Sequence, residues 1–380
     1  MGDEDVPPQT PGAQDHDYDT FPADTCARTY PFVKKGERIA QLEKSVLEKD
    51  LLIKELQETI LKLNAEKSRR FSVDDVKSST KHVRLYTGLQ NIGVFNWLFD
   101  RIKEKAKCLT YLNGQKTGLS KVKKVTKKRG RKRKLPLKDE FFLTLCRVRA
   151  GLTEDDLSFR FGISQGTVSK ILSTWIPFLG REMKCLIHWP SRENNNRVYP
   201  KCFKKFPNVI GIIDCTEGAI EKPSLAKAQA QTYSTYNSEN TWKTLISVTP
   251  GGTISFISRS YGGLASDRHI TETSGILDHL NPGDSLMADK GFNISDLLVG
   301  NCCKLVIPPF LRNKGRFSKR NSKKTSKVVK ARIHVERAIA RIKDFRILQG
   351  AIPISLKDIL DDIFTICCAI TNLAPPLVPL

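Results

Sequence analysis

The sequence predicts an α/β domain built on a mixed sheet flanked by helices, preceded by an all-α helix-turn-helix domain and an N-terminal coiled coil. Three shifts in apolar periodicity carry this expectation. Apolar residues follow a heptad register from Ile39 to Leu63, take helical spacing up to Trp175, and from Asn208 onward fall into continuous or alternating runs of strand length.

Hydrophobic residues make up 39% of the 380, enough for a sizeable core in two modest domains plus tails, or in one domain with appended binding elements. Lysine and arginine number 63 against 40 acids, a formal charge of +23, so a polyanion is the expected partner and nucleic acid the leading one. Lys121–Lys134 and Arg312–Arg332 each hold ten basic residues and no acid. Such runs are ordinarily solvated segments, but both flank or interrupt folded-looking sequence, which favours binding. The ten cysteines show no CxxC pair and no zinc-type spacing with the six histidines, so most are expected as reduced core residues. No apolar run approaches the roughly 20 residues of a membrane span, and the acidic start is unlike a signal peptide. A soluble intracellular protein without membrane contact is expected.

Residues 1–35 are acidic, proline-containing and poor in aliphatics, hence an expected disordered tail. Residues 36–66 read as the coiled coil, with Ile39, Val46, Ile53 and Ile60 at one core position, Leu42, Leu56 and Leu63 at the other, and Lys49 breaking the pattern. Branched residues at a and leucine at d favour a parallel two-stranded coil, so a homodimer is expected; a single helix packed on its own domain is the alternative. Residues 67–120 form a helical segment in which a Thr87-Gly88 turn precedes a helix over Asn91–Lys107, with Val94, Phe95, Trp97, Leu98 and Ile102 as its apolar set. A basic linker over 121–135 follows. Its Lys127, Lys128, Arg129, Arg131, Lys132, Arg133 and Lys134 suit phosphate contacts and nuclear import alike, so a nuclear location is expected.

Residues 136–180 read as the helix-turn-helix. Phe141, Phe142, Leu145 and Val148 share a helix face that ends at Gly151, and Thr153 caps a second helix with Glu154, Asp155 and Asp156 in its first turn. Leu157, Phe159 and Phe161 lead to the turn at Gly162. Ser164 then caps a third helix, Gln165–Trp175, with Val168, Ile171 and Leu172 inward and Gln165, Thr167, Ser169 and Lys170 left outside to meet base edges in a major groove. An ordinary three-helix bundle is the alternative; the basic run upstream favours DNA.

Residues 205–375 carry the strands. Val209–Ile213 is a continuous apolar run that delivers Asp214 at its C-terminal end, as a buried central strand does. Thr244–Thr249 and Thr253–Ser258 form an antiparallel pair around Pro250-Gly-Gly252. A helical segment over Asp267–Leu280, a strand Ser285–Ala288 ending at Asp289, a strand Leu305–Ile307 and a long helix Lys327–Phe345 complete the order. In that helix Val329, Ile333, Glu336 and Ala340 share a row beside Val328, Val335, Ile339 and Ile342. This is the order of a ribonuclease H-like fold, in which carboxylates on the first strand, after the fourth and on the last helix converge at one sheet edge. Asp214, Asp289 and Glu336 fall at those places. Carboxylates suit hard cations, and two Mg²⁺ ions about 3.5–4 Å apart activate a water or 3′-hydroxyl and stabilise the leaving oxygen in phosphodiester transfer. A cap or turn role is the plain reading of each aspartate alone, and a salt bridge to Arg332 or Arg337 that of Glu336. Glu217, Asp267, Asp284 and His334 are nearby runners-up.

Val209-Ile-Gly-Ile-Ile-Asp214-Cys-Thr-Glu217, Tyr261-Gly-Gly-x2-Ser266-Asp267-Arg, Met287-Ala-Asp289-Lys-Gly-Phe292 and Arg332-Ile-His-Val-Glu336-Arg-Ala-Ile-x-Arg341 resemble the DDE endonuclease domain of Harbinger-like transposases. The resemblance covers about Asn208–Asn372, and residues 136–176 resemble the helix-turn-helix that precedes such domains. It implies that Asp214, Asp289 and Glu336 bind a divalent metal, Mg²⁺ or alternatively Mn²⁺, and that the chain acts on double-stranded DNA at transposon ends. It also implies that a separate DNA-binding partner protein can share end recognition. A metal-dependent nuclease and strand transferase is the expected activity; a domesticated, catalytically silent DNA-binding protein and a coiled-coil assembly factor are the rivals.

Overall fold

The computed structural model describes residues 30–67, 70–111, 133–197, 199–200, 203–206, 208–289, 291–308 and 319–375. The acidic tail up to residue 29, the basic residues Lys127, Lys128, Arg129, Arg131 and Lys132, and the side chains of the second basic run before Arg332 lie outside them. The chain divides into two units at Arg69. In the first, one helix, α1 (Tyr30–Lys67), covers the heptad segment, and its a and d residues Ile39, Leu42, Val46, Ile53, Leu56, Ile60 and Leu63 are all exposed.

The second unit begins with α2 (Thr80–Thr87), α3 (Ile92–Lys107), α4 (Leu137–Ala150), α5 (Glu154–Phe161), α6 (Gln165–Met183) and the short α7 (Arg192–Arg197). Local chemistry sets their ends. Thr153 Oγ1 accepts from Asp156 N at 3.2 Å as expected of a cap, and Gly151 and Gly162 close α4 and α5 at φ +66° and +60°, a region open to glycine. Ser164 departs from expectation: its hydroxyl pairs with the Thr167 hydroxyl at 2.8 Å and takes no backbone N–H. α6 also runs past Trp175 and through Pro177, because burial of Ile176, Phe178, Leu179 and Met183 outweighs the hydrogen bond that proline forfeits. α4 is buried on nearly every side, Glu140 through Cys146 without a break, so its expected one-faced pattern describes only part of it.

The sheet domain follows as β1 (Val209–Ala219), α8 (Ala226–Thr232), β2 (Tyr233–Ser234), β3 (Glu239–Val248), β4 (Ile254–Ile257), β5 (Tyr261–Gly262), α9 (Asp267–Thr273), β6 (Ser285–Met287), α10 (Ser295–Val299), β7 (Lys304–Val306), α11 (Lys319–Lys343) and α12 (Leu360–Asn372). Its strands run in the order β2-β3-β1-β6-β7, with β4 and β5 also paired to β3. β1, β3 and β4 are antiparallel neighbours, whereas β6 lies parallel to β1 and β7 parallel to β6. This mixed α/β arrangement is consistent with the ribonuclease H-like order.

Both faces of the sheet are covered. Ile210, Ile213, Leu245 and Leu286 pack with Ile270, Phe292 and Leu298 on one side. On the other, Ile212, Ile246 and Met287 join a core that also holds Phe142, Trp175, Val335 and Phe364. The segments separated in the sequence at 67–120, 136–180 and 205–375 therefore share one apolar interior. α12, which the sequence reading did not single out, is the reason: it is buried through Ile363–Thr371 and packs against α6, α11 and β4. Its approach to α6 is close, since a Cβ at Gly180 would fall 2.3 Å from Asp362 Oδ1. Among the described cysteines Cys146, Cys303, Cys367 and Cys368 are buried as expected, while Cys108, Cys185 and Cys302 are exposed. No helix among the described residues is long and apolar enough to cross a membrane.

Candidate active site

Strand register sets the first two carboxylates side by side. Ile212 pairs with Met287 across the parallel β1–β6 ladder, and two residues further along each chain stand Asp214 and Asp289. β1 does not end at Asp214, as the sequence reading has it; it continues to Ala219 because β3 pairs with it through Thr241. β6 stops at Met287, so Asp214 lies where β1 loses its β6 neighbour and its side chain gains an open flank.

α11 brings the third. Its buried stripe is Ala331, Val335, Ala338 and Ile342, with Ile333 40% exposed, so the apolar row runs one step round the helix from the expected one. Glu336 therefore stands in solvent, its side chain 56% exposed. What ties it to the others is Arg332, one turn earlier on the same helix. Arg332 Nη1 donates to Asp289 Oδ1 at 2.9 Å, while Nη2 stands 3.9 Å from Asp214 Oδ2 and 3.8 Å from Glu336 Oε1. The salt-bridge reading of Glu336 and the convergence of the triad are thus one arrangement. Sequence reasoning considered Arg332 only as a partner of Glu336; its i, i+4 spacing was the available signal.

Burial is the main influence on Asp214, pushing its carboxyl up to about 6, with Asp289 and Asp267 adding to the rise and Arg332 and the Cys215 N–H at 3.0 Å opposing it. A carboxyl with a raised folded-state pKa costs nothing when protonated in both states. The cost grows as pH rises from about 4 and is complete above about 6. Asp214→Asn should therefore stabilise the metal-free protein at pH 7, by up to about 3 kcal/mol, and the gain should vanish near pH 4. Urea unfolding at the two pH values reads this; an equal gain at both would exclude ionisation as the cause.

The runners-up are engaged elsewhere. Glu217 faces Lys243 in the β1–β3 register, and Lys243 Nζ lies 3.3 Å from Glu217 and 2.7 Å from Asp267, forming a cross-strand bridge beside the triad. Asp284 is buried, bound by Arg192 Nε at 2.6 Å and the Asn281 N–H at 2.8 Å, a structural role. His334 is buried 5.7 Å from the Phe203 ring, and burial together with Arg337 lowers its pKa.

Among the described residues no three of histidine, cysteine, aspartate and glutamate stand in an arrangement that would hold a metal ion. The donor set nevertheless fits one chemically: three carboxylates surround a single cationic group, the Arg332 guanidinium, whose side chain is 11% exposed.

In the helix-turn-helix segment Gln165 and Lys170 are exposed, and Thr167 and Ser169 half-buried. Gln165 Nε2 donates to Glu154 Oε2 at 2.5 Å, so one expected base-reading group is tied to the helix before it. Phe159 is 86% exposed. Lys134 is exposed, but Arg133 is not available for a phosphate: its Nη1 donates to the fully buried Glu140 at 2.6 Å and its Nη2 to Leu109 O at 2.6 Å.

Residues 213–372 match the family described as DDE superfamily endonuclease, and residues 133–185 the one described as helix-turn-helix of DDE superfamily endonuclease. No curated protein and no solved structure matches the chain.

Proposed function

Since this chain carries a DDE superfamily endonuclease domain preceded by the helix-turn-helix of such endonucleases, we propose that it is a Harbinger-like, metal-dependent DNA endonuclease and strand transferase acting on transposon ends. The observation that carries this reading is the gathering of Asp214, Asp289 and Glu336 on Arg332 within the matched span. Those three carboxylates would hold divalent metal, Mg²⁺ or Mn²⁺. When bound, the metal would supply Lewis-acid stabilisation of the phosphodiester and a more acidic attacking water or 3′-hydroxyl.

The chain's own residues set the conditions. Asp214 must be ionised to serve as a ligand, and its carboxyl, raised to about 6, holds its proton when the solution is more acidic. Arg332 balances the clustered charge in the metal-free protein and must loosen its hold on all three acids, Asp289 above all, as they take up a cation. α6 presents Lys170 and, once freed from Glu154, Gln165 to the major groove of double-stranded DNA, while the basic run 127–134, Arg133 excepted, adds phosphate contacts and a nuclear import signal. Incubating the full chain with duplexes carrying transposon ends, with Mg²⁺ or with chelator, tests the reading. Metal-dependent nicking and joined 3′ ends are expected; intact duplex in both Mg²⁺ and Mn²⁺ would overturn it.

The exposed heptad positions of α1 are read as a parallel homodimer seam. Light scattering should return a dimer for the unaltered chain and a monomer for Ile53→Asp. A monomer mass for both would sink the seam without touching the nuclease.

A further inference from the structure

Three arginines from three elements meet where α2, α4 and the end of α11 come together. Arg84 lies in the last turn of α2, Arg149 in the last turn of α4, and Arg346 in the 3₁₀ turn Arg346–Leu348 just beyond α11. α2 packs on α4, and α4 packs on that 3₁₀ turn. The Arg149 guanidinium stacks over the Phe345 ring at 5.0 Å, and a Cβ at Gly151 would fall 2.8 Å from Arg346 Cβ. Burial is the main influence lowering the Arg149 pKa, Asp344 opposes it, and Arg84 and Arg346 add to the lowering.

None of the three has a carboxylate within 4.0 Å among the described residues; Arg147 and Arg341 lack one as well but donate to backbone carbonyls, and Arg101 and Arg259 stack on aromatic rings, so it is the convergence that sets these three apart. A half-buried guanidinium with like-charged neighbours and no bound acid is a costly arrangement within the protein alone. Each fork is suited to bind phosphate oxygens in pairs. Arg149 and Arg84 also sit at helix C-termini, where a cation is favoured, but that accounts for them singly and not for the convergence with Arg346.

We propose that Arg84, Arg149 and Arg346 form a phosphate-binding patch for the DNA backbone, separate from the helix-turn-helix and from the basic runs. This rests on the DNA-handling reading and extends it. Arg346 follows the end of α11 at Lys343, which is about 10 Å along the helix axis from Glu336, counting about 1.5 Å per residue, so one helix links the patch to the carboxylate site. The patch steadies backbone flanking the cut and carries no sequence information.

The test is duplex binding by fluorescence anisotropy across a KCl series, with the full chain, chelator present and a labelled duplex of arbitrary sequence. Arg84 and Arg346 are exposed, so R84A/R346A should melt like the unaltered chain. It should bind about tenfold or more weakly near 0.1 M salt, and its log–log salt slope should be shallower by roughly 2, close to 0.9 for each lost phosphate contact. R84K/R346K should keep the slope. Unchanged affinity and slope in R84A/R346A would overturn the patch alone, as would a lysine variant that loses as much as the alanine one. An unaltered chain that binds no duplex would overturn the patch together with the functional reading.

Discussion

Asp289→Ala is expected to abolish metal-dependent cleavage, a loss of roughly a thousandfold or more, while duplex binding persists. Asp289 makes the shortest of the three contacts to Arg332, 2.9 Å, and its side chain is 51% exposed, so its removal would subtract a proposed metal ligand without opening a hole in the core. Asp214→Ala and Glu336→Ala should act alike, and the double and triple variants should lose little more than each single one, because ligands to one metal centre act as a unit. DNA affinity should hold, since none of the three lies in the helix-turn-helix span 133–185. Activity persisting in Glu336→Ala would shift the third ligand to another acid, for which Asp267 is placed, sharing Lys243 with Glu217 and close enough to raise the Asp214 pKa. Loss of cleavage together with loss of fold would be seen in the melting curve and would not count as support.

The largest effect on stability is expected at Glu140, a position with no role in the chemistry. Its side chain is wholly buried, yet it accepts from the Tyr111 hydroxyl, from Arg133 Nη1 at 2.6 Å and from Trp175 Nε1 at 2.8 Å. The burial of a charge is thereby compensated by one guanidinium and two neutral donors. Glu140→Ala strands the fully buried Trp175 indole and takes an acceptor from Arg133 and from the half-buried Tyr111 hydroxyl. Removing one partner from such a buried pair costs about 3–5 kcal/mol. Glu140→Gln keeps an acceptor for Trp175 and should fall between. Urea unfolding reads the difference, and a change below about 1 kcal/mol for alanine would show that the pocket collapses or hydrates. Arg133→Ala should likewise lower stability more than DNA affinity, the opposite of what the neighbouring basic residues should show.

That contrast shows where reading the chain has its limits. Arg133 belongs by composition to an unbroken basic run, and nothing local separates it from Lys134; only the placement of α4 beneath it decides that one grips Glu140 and the other faces solvent. Ile333 was placed in the apolar row because helical spacing fixes a periodicity but not its phase, and a turn of one residue moves a side chain from core to surface. α12 escaped notice for a different reason. A helix buried through nine consecutive residues, Ile363–Thr371, has no polar face to mark its period, and its partners α6 and β4 lie far away in sequence.

The sequence by itself determined the main strands β1, β3, β4, β6 and β7 and the long helix α11, the cap at Thr153, and the glycine turns at Gly151 and Gly162. These are local properties: steric limits on φ, hydrogen bonds within a turn, and apolar period along one element. Tertiary structure alone decided that Asp214 and Asp289 stand level across a parallel ladder, that Arg332 lies among all three carboxylates, and that Glu217 and Asp267 share Lys243. Electrostatic partnership falls off within a few ångströms, and which charges come that close is set by strand register and helix phase, quantities that depend on the packing of segments distant in the chain.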